Sequence, residues 1–220
     1  MLQTKQIAER MDLEVLHGIV DCLWVKGGDA SQFKENVEAA TGIGTELDPY
    51  DWIVFLPLAD GFGAYNRYFG RMSSGKMKIR GVAARKRDTP EYISRMQMEV
   101  FKKMGEARSI EELRRIKPQV LEIVKWYHRE LPRADPSQMV INRRISKLNY
   151  EKRCVQASAI AAYRRKGVKV SPGMTVGFVV RDAGSWDVDT EWDASEFDLD
   201  YYGKLIGKAW DEAAFVFKFI

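Results

Sequence analysis

Cysteine and histidine are scarce in this chain of 220 residues, with two of each. Cys22 and Cys154 lie far apart, which excludes a disulfide framework or the paired-cysteine spacing of a zinc site, and buried reduced thiols are expected. His17 and His128 are equally distant, and HExxH, GxxxxGK[ST] and GxSxG are all missing, so zinc hydrolases, P-loop enzymes and serine hydrolases are excluded as self-contained readings. No run approaches the roughly 20 apolar residues of a membrane span, and the opening MLQTKQIAER is too polar for a secretory leader. A cytoplasmic, soluble chain with no membrane partner is the expectation. Internal repeats and low-complexity segments are absent too.

What is present is charge, unevenly placed. The net value is only +4. Between Ile141 and Val170, however, nine basic residues face one acidic residue, and between Arg181 and Ile220 four basic residues face ten acidic ones. A polyanion would therefore meet one favoured face that the average conceals.

Hydrophobic periodicity and turn residues predict a short helix over Gln3–Met11 and a hairpin from Glu14 to the Gly27-Gly28 break. A helix capped by Ser31 should run to about Ala40. Strands are expected at Trp52–Leu56, Ala64–Gly70 and Lys76–Arg85, the last two joined through Ser73-Ser74-Gly75. From Thr89-Pro90 the pattern turns helical: Tyr92, Met96, Val100 and Met104 share one face, Ser109–Arg129 forms a helix kinked at Pro118, and Tyr150–Lys166 forms another. Val170–Val180 reads as a turn and a strand, Trp186–Phe197 as a loop, and Tyr201–Phe217 as a helix with a frayed aromatic tail. The fold class is α+β, with antiparallel strands and helices over residues 1–88 and a mainly helical second part over 89–220. Met96, Met98 and Met104 read as packing.

One carboxylate stands out. Asp21 follows the bend in LEVLHGIVDCLWVKGGD, where a tight hairpin presents it at the tip. It either solvates a turn or serves as one ligand of a hard divalent cation, which takes only one or two carboxylates and keeps positions open for phosphate oxygens.

The order of segments resembles the C-terminal third of a family B DNA polymerase, from the end of the palm through the thumb. Lys5–Lys26 is similar to the helix and hairpin of palm motif C, usually tyrosine-glycine-aspartate-threonine-aspartate-serine: Gly18 matches the glycine, Asp21 the second aspartate and Cys22 the serine. NRYFG at Asn66–Gly70 resembles the lysine-lysine-x-tyrosine strand. IRGVAARKRD at Ile79–Asp88 resembles the arginine-glycine plus arginine-arginine-aspartate segment. INRRISK at Ile141–Lys147, RRKGVKVSPGMTVGFVV at Arg164–Val180 and DYYGKLI at Asp200–Ile206 resemble the thumb. Two departures stand out: Ile19 replaces the first hairpin aspartate, and Tyr65 and Asn66 replace lysines that contact the primer-template backbone, leaving Arg67 and Tyr68.

The resemblance implies an incomplete palm sheet over residues 1–88 followed by the thumb. It implies DNA-directed nucleotidyl transfer from a dNTP with two Mg2+ ions, Asp21 being the catalytic and metal-binding residue. The other metal-binding aspartate, the fingers and the 3'-5' exonuclease have no counterpart in these residues. With Met1 opening a whole first helix, the expectation is the small subunit of a two-chain polymerase, the ions being shared with a large subunit. Glu46 or Asp48 stands near the place of the accessory palm acid. Expected contacts to primer-template DNA are Arg67, Tyr68, Arg80, Arg85, Lys86, Arg87, Arg143, Arg144, Lys147, Lys152 and Arg153, giving sequence-independent, salt-sensitive affinity. Without the resemblance the same basic residues read as a solvated face. Trp24, Trp52, Ile53 and Phe55 are expected at an apolar edge that the large chain covers, and the FVFKFI tail is a candidate sliding-clamp contact despite lacking the usual glutamine. The alternative is a catalytically inactive DNA-binding accessory derived from a family B polymerase, in which Ile19 marks decay of the site.

Overall fold

The computed structural model describes residues 1–57 and 63–220; the Tyr65 side chain, singled out above, lies outside the described residues. Helix α1 (Leu2–Arg10) leads into a hairpin, β1 (Glu14–Ile19) and β2 (Cys22–Lys26), and then α2 (Ala30–Thr41). Strands β3 (Tyr50–Pro57), β4 (Gly63–Met72) and β5 (Met77–Arg80) form an antiparallel sheet in that order. Helices α3 (Glu91–Met104) and α4 (Ile110–Glu130) follow, then β6 (Ile141–Arg144), α5 (Val155–Arg165), β7 (Thr175–Asp182), β8 (Asp187–Thr190) and α6 (Leu199–Ala214). The architecture is α+β, and β6, β7 and β8 add a second three-stranded antiparallel sheet to the helical part.

Local chemistry explains where the boundaries differ from expectation. Helix α2 starts before Ser31 because the Asp29 carboxylate accepts from the backbone N–H groups of Ser31 and Gln32 at 2.9 and 3.1 Å, a strong N-cap whose charge also suits the helix dipole. Pro90 sits just outside α3 in extended backbone rather than in its first turn. Helix α4 is continuous through Pro118, its buried Leu113, Val120, Val124 and Tyr127 lying on both sides of the proline. Residues Trp186–Phe197 are not a plain loop: Val188 and Thr190 point inward at alternate positions and build β8, while the acids between them face out and mask the strand in the sequence. The chain's end is not frayed either, since Val216 and Phe217 are buried.

The core divides unequally. A small cluster of Ile7, Ala8, Leu13, Phe33 and Val37 fills the space between α1, α2 and the β1–β2 hairpin. A second, large cluster runs from Trp52 and Phe69 on the β3–β4–β5 sheet through α3 and α4 to Phe217. The change in character at residue 88/89 is thus a change of secondary structure, and packing is continuous across it. Phe69 meets Phe101 with ring centroids 4.9 Å apart, and the Trp52 indole N–H donates to the Ala107 carbonyl at 2.8 Å. Trp52 is therefore core, not sheet edge, because α3 and the turn after it cover that face.

The hairpin unit joins the rest through aromatics. His17 and Trp24 pack against Phe55 and Tyr68, with centroid separations from 5.1 to 6.0 Å. Trp24 and Phe55 are consequently half-buried within the chain rather than displayed as an open apolar edge.

Phe69→Ala should lower the unfolding free energy by about 3–5 kcal/mol, the usual cost of emptying a buried phenylalanine site. Because Phe69 joins the sheet to α3, thermal unfolding followed by circular dichroism and by tryptophan fluorescence should fall together in this variant.

Candidate nucleic-acid interface and hairpin acid

Ile19 and Cys22 are paired across the hairpin, so Val20 and Asp21 alone make the turn. Val20 takes φ 43° and is 88% exposed. A β-branched residue in left-handed backbone costs about 1–3 kcal/mol, and its conformation carries the Asp21 carboxylate out into solvent. The Cys22 thiol donates to Asp21 Oδ1 at 3.4 Å. Burial raises the thiol's pKa, and the hydrogen bond to Asp21 and the charge of that carboxylate raise it further; Lys78 acts in the opposite sense and Asp48 adds a small upward push. The Lys78–Asp48 ion pair therefore lies within electrostatic reach of the hairpin tip. Contrary to expectation Cys22 is exposed, because it ends the strand at the tip, and Cys154 is half-buried.

Asp21 is the kind of donor that magnesium takes, a hard oxygen ligand with open space in front of it. Among the described residues, no three His, Cys, Asp or Glu side chains stand together as a metal-holding group. The carboxylate fits the ion as one ligand of a larger set.

The expected phosphate contacts separate into two groups. Arg67 and Tyr68 are structural. Arg67 donates to the carbonyls of Gly81 and Pro57 and to Glu212 Oε1, at 3.3, 2.8 and 2.8 Å, which commits its guanidinium to the protein. Tyr68 is 5% exposed inside the aromatic cluster. These two leave the set of DNA contacts because their polar and apolar needs are met within the fold.

The remaining nine, Arg80, Arg85, Lys86, Arg87, Arg143, Arg144, Lys147, Lys152 and Arg153, are all exposed. Arg143 pairs with Asp88 at 2.9 Å, which ties the Arg85–Arg87 turn to strand β6. Lys147 lies over the Tyr150 ring, 5.2 Å from its centroid. The segment Gly81–Asp88 is gripped by its backbone. Gly81 has φ 66°, and a Cβ there would lie 2.3 Å from the Asn66 carbonyl oxygen, so only glycine fits. The Ala83 N–H donates to Glu212 Oε2 at 2.7 Å and the Ala84 N–H donates to Gln97 Oε1 at 2.6 Å.

Glu212 and Gln97 carry no motif and were not anticipated. Gln97 was nonetheless detectable in principle: it lies one turn from Ile93 and from Phe101 on an otherwise apolar stripe of α3, and a polar residue there needs buried partners. Met96 and Met104 are buried as expected, whereas Met98 is exposed. In the C-terminal tail Phe217 packs near Trp210, leaving Phe219 as the exposed aromatic.

A strained hairpin bearing one exposed carboxylate, an antiparallel sheet and a helical part with a basic surface make up an α+β fold like that of a polymerase. The comparisons agree. Over its whole length the chain superimposes on 28% of the family B DNA polymerase of the hyperthermophilic archaeon Pyrobaculum calidifontis, with TM-score 0.64 and 24% identity. It is 28% identical over 139 residues to DNA polymerase 2 of Saccharolobus solfataricus, a match covering 63% of this chain and 21% of that protein. It is 26% identical to DNA polymerase 1 of the same organism, covering 58% of this chain and 14% of the relative. DNA polymerase 1 of Sulfolobus acidocaldarius gives 26% identity over 52% of this chain and 13% of the relative. No family model matches. The curated relatives are DNA polymerases, and the matches cover about a fifth or less of their length. No helix among the described residues is long and apolar enough to cross a membrane.

Asp21→Asn removes a charge that, after burial and the hydrogen bond to Asp21, raises the pKa of the neighbouring thiol. The pH–rate profile for iodoacetamide alkylation of Cys22 should move to lower pH in that variant, while the profile of Cys154, distant in sequence and fold, stays in place; peptide mass spectrometry separates the two sites.

Proposed function

We propose that this chain supplies the metal-binding hairpin acid and the DNA-gripping thumb of a two-chain family B DNA polymerase, as its small subunit. The observation that carries the reading is the Asp21 carboxylate, presented to solvent on a strained two-residue turn at the edge of a partial palm. A polypeptide carrying the rest of the palm, the fingers and the exonuclease would bring the second aspartate to it.

In that assembly Asp21 holds magnesium jointly with the large subunit, and Asp48, kept in place by Lys78, is the candidate accessory acid. Bound there, the two ions supply activation of the primer 3'-hydroxyl and charge neutralisation at the departing pyrophosphate of the dNTP. The chain's own contribution is positional. The Cys22 thiol donates to one oxygen of Asp21 and leaves the other open. Arg80, the Arg85–Arg87 turn and the basic residues from Arg143 to Arg153 neutralise primer-template phosphates without reading sequence. Phe219 in the tail is the remaining candidate for a sliding-clamp contact.

Ile19 favours a second reading. It stands at the end of β1 where the family has an acid, and a chain with that site decayed would serve as a DNA-binding accessory only. Primer extension in the presence of the large chain separates the two. Under the first reading Asp21→Ala lowers extension by about 10²-fold or more, the scale of losing a group that organises transition-state charge, with primer-template affinity within about twofold of wild type. Extension that is unaffected by the substitution supports the accessory.

A further inference from the structure

From the geometry we infer that Glu212 and Gln97 are positioning residues that fix the Arg85-Lys86-Arg87 turn for phosphate contact; the inference rests on the DNA-binding reading above. The turn is held from four separate elements, and the holds fall on its backbone and on Asp88, apart from a 3.5 Å contact between the Lys86 ammonium and Glu212 Oε1. Strand β4 contributes Arg67, whose Nε donates to the Gly81 carbonyl. Helix α6 contributes Glu212, which accepts from the Ala83 N–H. Helix α3 contributes Gln97, which accepts from the Ala84 N–H, and Ser94, which donates to the Ala84 carbonyl at 3.2 Å. Strand β6 contributes Arg143 at Asp88.

Glu212 is the junction of these holds. Its side chain is 15% exposed. Oε1 accepts from Arg67, with the Lys86 ammonium at 3.5 Å, and Oε2 accepts from both Ala83 N–H and Gln97 Nε2, the latter at 3.1 Å. Gln97 is fully buried, and its amide also donates to the Ala209 carbonyl on α6 at 2.7 Å. A largely buried carboxylate and a buried amide with all these groups satisfied have one low-energy arrangement, so the backbone of residues 81–88 has one as well. Arg85, Lys86 and Arg87 then leave a fixed turn rather than a mobile one, and the entropy of ordering that backbone does not have to be met when DNA binds.

Glu212→Gln tests this in the full-length chain. Glutamine offers one acceptor oxygen where glutamate offers two, so its amide NH2 must face either the Arg67 guanidinium or the Ala83 N–H, donor against donor. Amide hydrogen exchange of Ala83 and Ala84 should quicken by about tenfold or more. Affinity for a short primer-template duplex, read by fluorescence anisotropy at a temperature where circular dichroism shows the variant folded, should fall by about tenfold. The slope of log affinity against log salt should shrink by about 2, as expected when two or three phosphate contacts are lost. Gln97→Met, which keeps the volume, leaves the Ala84 N–H and the Ala209 carbonyl without their partner and removes the Gln97 donor to Glu212, should change both readouts in the same direction and guards against a misfolded first variant. Unchanged exchange at Ala83 and Ala84 overturns the positioning role whatever DNA does. Faster exchange with an unchanged salt slope also overturns it and leaves a purely structural network. If the wild-type chain shows no salt-dependent affinity for the duplex, the DNA-binding reading itself fails, and the exchange data still report whether the turn is fixed.

Discussion

The Glu212 carboxylate is the constraint around which the larger core is organised. It sits near the C-terminal end of α6, yet it touches groups from β4, the turn after β5 and α3, residues up to 145 positions away in sequence. A partly buried carboxylate costs several kcal/mol to desolvate and is tolerated only where cations and N–H groups surround it. Arg67, Lys86, Ala83 and Gln97 do this together. The chain's end is thereby coupled to its middle, and the helical part and the β3–β4–β5 sheet share a single interior instead of meeting at a linker.

The hairpin unit stands apart from that interior. Its own buried set is five residues, and it meets the sheet mainly through His17, Trp24, Phe55 and Tyr68. Aromatic contacts at 5–6 Å contribute on the order of 0.5–1.5 kcal/mol each beyond the area they bury, enough to orient the unit. The candidate acid rides on this lightly attached piece, while the basic turn is bolted to the large core. The two halves of the proposed activity therefore rest on different packing.

Much of this was legible in the sequence where a local rule acts. The β1–β2 hairpin, its turn lying at Val20-Asp21 and so later than the bend read before Asp21, the Ser73-Ser74-Gly75 connection and the apolar face of α3 follow from periodicity and turn residues. Strand β8 was hidden because its outward positions are acidic and its length is only four residues. Ser31 is not the cap because the helix already begins at Ala30, with the Asp29 carboxylate accepting from the Ser31 and Gln32 N–H groups. Among site residues, exposure of the basic cluster could be anticipated from charge alone. The commitment of Arg67 to Glu212 could not, since that pairing exists only after α6 closes over the sheet. Asp21 was singled out by resemblance and by turn geometry together; Gln97 required noticing one amide in an apolar stripe.

The strained valine has a further implication for how the molecule tolerates change. Any residue more at ease in left-handed backbone, such as asparagine or glycine, would make the β1–β2 turn more stable in isolation, and such replacements are the easiest improvements available to drift. Valine at that point is an outward-facing methyl pair on a conformation that disfavours it. The tip thus keeps about 1–3 kcal/mol of backbone strain that asparagine or glycine would release.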